Sequence, residues 1–285
     1  MNRPPVTLGW EPRFCGNHVA DLTAGCSFGC LYCPFAELGA RMRGVRRPTA
    51  LDWTGIEALP APPSVFLSPA SDPFAPQAAE GTHRLLAHLL PRRTMVGLLT
   101  KGIVPERTIE LLAEHASWVE GIGIGVTSLD ERRNALLEPG CPPARARLAN
   151  VERLAARGLI VTLRLDPLFP ALDDDPAALA ALVREAADRG AVAITAAYVF
   201  AWGRSLRRLR REPMLAGSVA LLTERTPMEG GTALSVPLGR KLETYALLQQ
   251  LAAAHGLVFN TCGCKDLRVR ADGRFATSCR ARWPV

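Results

Sequence analysis

From His18 to about Phe200, short apolar runs alternate with longer stretches in which apolar residues recur every three or four positions. The first pattern suits buried strands and the second amphipathic helices, so their alternation predicts βαβ units on a parallel sheet. Strands are expected around 18–23, 64–68, 95–100, 121–127, 159–166 and 193–199. Helices fall near 34–44, 79–91, 107–116, 129–137 with 144–157, and 175–189. Beyond Phe200 the pattern changes. A basic helix at 204–212 leads into a Gly- and Thr-rich piece at 224–233, with Gly230-Gly231 as a turn, and then an amphipathic helix from about 239 to 255. The expected class is α/β, with a main domain over 1–215 and a small α+β piece over 216–285.

Composition changes this picture little. The 285 residues are 48% hydrophobic, enough for one large α/β core without disulfides. No apolar run approaches the roughly 18 residues of a membrane span, and Met1-Asn2-Arg3-Pro4-Pro5 lacks the charged-then-apolar form of a signal peptide. A cytoplasmic protein with no membrane partner is expected. The net charge of +7 raises a nucleic-acid partner, but nearly all the cations are Arg in a chain rich in Ala, Pro and Gly, which biased codon usage explains as easily. The densest basic runs, 41–47 and 204–211, read first as solvated helix faces and second as phosphate-binding stripes.

The cysteines carry the chemistry. Cys26, Cys30 and Cys33 form a C-x3-C-x2-C run between Leu22 and Pro34. A loop of this spacing can fold around three corners of a cubane and leave the fourth iron without a protein ligand. Thiolates this close, in a chain expected in a reducing compartment, read as metal or iron-sulfur ligands rather than disulfides. Zinc sites usually take four protein ligands in paired C-x2-C units, and buried structural cysteines have no reason to recur at these offsets. Preceded by a strand and followed by an aromatic and a proline, the run resembles the cluster loop of the radical SAM superfamily. That resemblance implies a partial (β/α)6 TIM-type barrel with a small C-terminal cap. It also implies a 4Fe-4S cluster whose open iron is chelated by S-adenosylmethionine, reductive cleavage to a 5′-deoxyadenosyl radical, and a reducing partner such as flavodoxin or ferredoxin.

In parallel barrels the loops after the strands converge on the mouth, so strand ends are the places to look for site residues. Here they carry Ser71-Asp72-Pro73-Phe74, Thr100-Lys101, Thr127-Ser128, and Arg164 and Asp166 before Pro167. With Leu137-Glu138-Pro139-Gly140, these features resemble the spore photoproduct lyase-like branch of the superfamily. The branch implies that Ser71, Lys101 and Ser128 help hold the methionyl end of S-adenosylmethionine and that Tyr32 lies against its adenine; Arg164 is a further cofactor-binding candidate. Lys101 also reads as a solvated helix-entry lysine, and Ser128 as a helix N-cap. One departure weighs against photoproduct repair. The lyases carry a hydrogen-donating thiol in a Cys-Thr-Ser-Asp run, and this chain has Pro69-Ala70-Ser71-Asp72. Cys141 can in principle approach the mouth, but it and Cys15 read as incidental loop cysteines.

The end of the chain holds a second group, Cys262-Gly263-Cys264 and Cys279. Asp272-Gly273 between the alternating runs 267–269 and 275–277 predicts a hairpin that folds Cys279 back on the pair. This resembles the auxiliary-cluster ends of other radical SAM enzymes, especially the molybdopterin-precursor cyclase, although the pair there is C-x2-C. A second 4Fe-4S cluster, a zinc ion and plain or hydrogen-donating thiols all remain open. The expected function is radical modification of a small molecule or peptide. The alternatives are nucleic-acid lesion repair or modification, 3-amino-3-carboxypropyl radical chemistry, and a non-catalytic iron-sulfur protein.

Overall fold

The computed structural model describes residues 9–11, 17–23, 25–33, 64–68 and 70–277. The predicted helix at 34–44, the basic run at 41–47, Pro69, Cys15 and Cys279 lie outside the described residues. Strand β1 (Gly9–Glu11) pairs antiparallel with β2 (Asn17–Ala20). Then β3 (Ser64–Leu67), β4 (Met95–Thr100), β5 (Val119–Gly125), β6 (Val161–Leu168) and β7 (Ala193–Tyr198) follow in chain order, each parallel to the one before. The connections hold α1 (Ala79–Leu89), α2 (Glu106–Glu114), α3 (Glu131–Leu137), α4 (Ala144–Ala155) and α5 (Pro176–Asp188). Strand order equal to chain order is what successive same-handed βαβ crossovers produce, and it curls the sheet into a partial barrel.

Alternation along the strands explains both faces. Val65 and Leu67, Val96 and Leu98, Ile122 and Ile124, Leu163 and Leu165 belong to the continuous apolar core under the helices. Phe66, Gly97, Leu99, Gly123 and Arg164 between them point the other way, into the barrel, as a period of two requires. The run Ile122-Gly123-Ile124-Gly125 is therefore apolar outside and empty inside. A Cβ on Gly125 would meet Lys101 Cγ at 2.9 Å, and one on Gly123 would meet Arg164 Cδ at 2.7 Å, so these glycines make room for two cations to cross the interior.

After β7 come α6 (Gly203–Arg210), α7 (Ala216–Ala220), the antiparallel pair β8 (Glu224–Met228) and β9 (Gly231–Ser235), and α8 (Leu238–Ala254). The sheet then resumes. Strand β10 (Val258–Thr261) pairs parallel with β7, and β11 (Ala276–Thr277) pairs parallel with β10. Helix α8 packs on α5, β7 and β10. Where alternation at 267–269 predicts one arm of a hairpin, the chain instead forms helix α9 (Leu267–Asp272). Asp266 caps it, accepting from Arg268 N at 3.0 Å, and Gly273 ends it at φ 74°. Asp-Gly serves a hairpin turn and a helix C-terminus equally well. The Lys241 Nζ to Asp266 bond of 2.7 Å fixes the cap and decides for the helix. Among the described residues no helix is long and apolar enough to cross a membrane.

Candidate active site

The loop after β2 brings Cys26, Cys30 and Cys33 to the carboxyl end of the barrel as half-buried thiols. Backbone contacts hold it. Leu31 N donates to Leu137 O at 2.9 Å, Gly140 N to Phe28 O at 2.9 Å, and Arg208 Nη2 of α6 to Cys33 O at 3.1 Å. Gly140 has to be glycine, because a Cβ there would meet Phe28 Cα and Ser27 O at 2.8 Å. The 137–141 segment and α6 therefore grip the loop through its main chain. Among the described residues no three potential ligands gather on a single-ion site. Three half-buried thiols on one short loop are the soft donor set that an iron-sulfur cluster takes. Burial and the Asp72 carboxylate push the Cys26 thiol up to about 12. Cys30 moves the other way, lowered by a contact with Cys141 against the effect of burial, with Lys101 assisting.

Glu138, which sequence reasoning used only as part of a resemblance, is the hub beside this loop. Its carboxylate accepts from the Tyr32 hydroxyl, from Arg147 Nη1 at 2.6 Å, and pairs with Lys101 Nζ at 3.4 Å. Burial alone would raise its pKa, but Lys101, Arg147 and the Tyr32 hydroxyl bring it down to about 2. The Lys101 ammonium also lies 5.5 Å from the Tyr32 ring centroid and donates to Asp166 O at 3.2 Å. The Tyr32 ring packs edge-on against Phe169 at 5.8 Å. Lys101 is thus inside the barrel rather than a solvated helix-entry lysine.

The other expected residues have defined partners. Ser71 Oγ donates to Asp21 Oδ1 at 2.9 Å, and burial raises the pKa of that acid. Its neighbour Asp72 is buried and accepts from Thr100 Oγ1 at 2.6 Å, Lys101 N at 2.8 Å and Phe74 N at 2.9 Å, tying the ends of β3 and β4 together. Ser128 Oγ accepts from Asp130 N at 3.1 Å, while Asp130 is the N-cap of α3, so Ser128 precedes the cap. Arg164 Nη2 donates to Asp166 Oδ2 at 2.7 Å. Asp166 also accepts from Lys265, whose charge together with Arg164 holds its pKa well below the usual carboxylate range despite burial.

Lys265 connects the two cysteine groups. It follows Cys262 and Cys264 at the end of β10, where Cys262 is buried and Cys264 half-buried. Through Asp166 and Lys101 it reaches Tyr32 and the 26–33 loop. Nothing in the motif spacing pointed to Lys265 or Asp166 as a junction. The signal was a strand-end acid and a lone lysine, each too common to single out.

The model of the Radical SAM superfamily matches residues 21–183, more than half of the chain. The uncharacterised protein ORF301 of Acidianus two-tailed virus is 27% identical over 129 residues, covering 44% of this chain and 42% of its own. The uncharacterised protein Rv2578c of Mycobacterium tuberculosis is 30% identical over 137 residues, covering 46% and 40%. The chain thus spans well under two thirds of either relative. Among solved structures, a spore photoproduct lyase variant with bound AdoMet and dinucleoside spore photoproduct superposes with TM-score 0.69 at 15% identity, over 90% of this chain and 80% of that one. Streptococcus suis SuiB bound to S-adenosylmethionine gives TM-score 0.51 at 12% identity, over 86% and 50%. At such identities these likenesses show the fold.

Proposed function

Because the chain belongs to the radical SAM superfamily, we propose that Cys26, Cys30 and Cys33 hold its 4Fe-4S cluster at the barrel mouth and that the enzyme modifies a small molecule or a peptide. Family membership makes it an enzyme rather than an iron-sulfur carrier. When bound, the cluster and S-adenosylmethionine supply a carbon-centred radical. The observation that carries the reading is the meeting of the three-thiol loop with Lys101, Glu138 and Asp166 at the strand ends. An ammonium has three donors, and Lys101 is aimed by Glu138 and Asp166 so that a methionyl carboxylate can take a third. In this reading Ser71 and Ser128 complete that end of the pocket, Tyr32 lies against the adenine, and Arg164 steadies Asp166. The need for a strong reductant suits the cytoplasm and a flavodoxin or ferredoxin donor.

Cys262, Cys264 and Cys279 are proposed to hold a second, auxiliary 4Fe-4S cluster. Support comes from the end of β10, where Lys265 bonds Asp166 of the main site, and from β11, which sets Thr277, two residues before Cys279, beside Thr261. Anaerobic reconstitution is expected to give about eight irons per chain. About four irons, unchanged in the Cys262→Ala/Cys264→Ala/Cys279→Ala variant, would remove the second cluster.

One observation favours a nucleic-acid substrate as second reading. Immediately after β7, Phe200 and Trp202 stack with centroids 5.5 Å apart and rings 12° from parallel, and Lys265 Nζ lies 5.4 Å from the Phe200 centroid. Helix α6 then carries exposed Arg204, Arg207 and Arg210. Stacking rings beside cations suit an unpaired base. With Pro69 in place of the lyase thiol, modification rather than dimer repair is the chemistry proposed.

Incubation with dithionite and S-adenosylmethionine is expected to yield 5′-deoxyadenosine and methionine. Methylthioadenosine instead would mean 3-amino-3-carboxypropyl chemistry. Formation of neither product would overturn the main reading. Adding a single-stranded oligonucleotide over a salt series separates the substrate classes. A salt-sensitive stimulation favours nucleic acid, and indifference favours a small molecule or peptide.

A further inference from the structure

The segment that grips the cysteine loop carries a thiol of its own. Cys141 follows Gly140, and its Sγ lies 3.9 Å from Cys30 Sγ, within reach of an S–H···S hydrogen bond. The position is not accidental flexibility of a loop. Cys141 N donates to Glu138 O at 2.9 Å, Gly140 N to Phe28 O at 2.9 Å, and Leu31 N to Leu137 O at 2.9 Å, so both sulfurs ride on one hydrogen-bonded unit. Gly140 also packs against the Phe28 and Ser27 backbone, which fixes how close Cys141 comes. Cys141 is an unsuitable fourth ligand, because two ligands of one cubane stand farther apart than two sulfurs in contact. The same closeness is what a donor to a ligating sulfur needs.

We propose that the Cys141 thiol donates a hydrogen bond to the Cys30 sulfur of the bound cluster and thereby sets how readily that cluster accepts its electron. The proposal rests on the reading that Cys26, Cys30 and Cys33 hold the cluster. The physical ground is charge. Reduction adds negative charge that the ligating sulfurs share, so a donor aimed at one of them stabilises the reduced cluster more than the oxidised one. Cys141 acts through the Cys30 sulfur, which makes it a positioning residue whose effect appears in a potential.

The test is a redox titration of the anaerobically reconstituted protein, followed by electron paramagnetic resonance of the reduced cluster, in wild type, Cys141→Ala and Cys141→Ser. Iron and sulfide content and melting temperature are measured on each sample. To keep one signal in view, the titration is repeated in the Cys262→Ala/Cys264→Ala/Cys279→Ala background. At the potential where wild type is half reduced, the ratio of reduced to oxidised cluster is expected to fall about tenfold in Cys141→Ala, in line with one charge-assisted hydrogen bond. Cys141→Ser keeps a donor and should recover most of that ratio. A purely structural thiol would change iron retention or melting and leave the ratio alone. A ratio within about twofold of wild type in a fully loaded Cys141→Ala protein overturns the proposal. So does a wild-type signal that S-adenosylmethionine does not perturb until Cys141 is removed, because then Cys141 is a ligand. Absence of any cluster signal in wild type would instead fail the underlying assignment of the three cysteines.

Discussion

Cys30→Ala is expected to lower 5′-deoxyadenosine formation by more than about hundredfold while the barrel stays folded. Both halves of that result follow from how the loop is built. The contacts that shape it, Leu31 N to Leu137 O, Gly140 N to Phe28 O and Arg208 to Cys33 O, are made to main-chain atoms and do not involve the Cys30 side chain. Cutting the CH2SH side chain back to a methyl group removes one of the three sulfurs proposed to hold the cluster and leaves the loop backbone where it is. Truncating a half-buried cysteine should cost on the order of 1 kcal/mol, which moves the melting temperature by only about 2–4 °C in a chain of this size. Iron should fall by about four per chain. Measuring deoxyadenosine, iron and melting on one preparation separates a lost ligand from a lost fold. Undiminished deoxyadenosine from the variant would mean that the cluster rests on other thiols.

Much of this site was readable in the sequence because its two strongest signals are local. Three cysteines within eight residues, and βαβ alternation in which each element is short and periodic, need no knowledge of distant contacts. Strands β3 and β4 and helices α1, α2, α4 and α5 begin and end within about two residues of the expected places. What was not readable depends on pairing across the chain. Glu138 becomes a hub only because Tyr32 from 106 residues earlier and Lys101 and Arg147 meet on it. Asp166 becomes a junction only when Lys265 reaches it from 99 residues away. Strand β10 was hidden because Val258–Thr261 is short and half polar, so its partner β7 rather than its own pattern makes it a strand. The 267–272 segment failed for a related reason. Its period is too short to tell strand from helix, and Lys241, far off in sequence, settles it. Cys141 reads as an incidental loop cysteine until Gly140 is seen packed on Phe28.

Glu138→Ala is expected to destabilise the protein by about 3–5 kcal/mol, because it leaves Arg147 and Lys101 inside the barrel without their shared anion. Glu138 is buried, and both of its oxygens are engaged, one by Arg147 and the other by Tyr32 and Lys101. Arg147 would keep Gly125 O at 2.8 Å, a neutral acceptor that does not balance its charge. The pH dependence gives the prediction a signature of its own. Against the effect of burial, Lys101, Arg147 and the Tyr32 hydroxyl hold the folded carboxyl down to about 2, from an ordinary 4.5. A depressed acid contributes stability above its unfolded pKa and loses it as pH falls toward the folded value. At 1.36 kcal/mol per unit, about 3 kcal/mol should therefore disappear between pH 5 and pH 2 in the wild type. The alanine variant has no such carboxyl, so its denaturant midpoint should fall less steeply over that range. Parallel acid limbs in the two proteins would show that the Glu138 carboxylate does not carry this stability. The cost extends to the cysteine loop, since the Glu138 carboxylate holds Tyr32, one residue before Cys33. Loss of the hub should accordingly loosen the grip on the cluster at a temperature where the rest of the barrel is still folded.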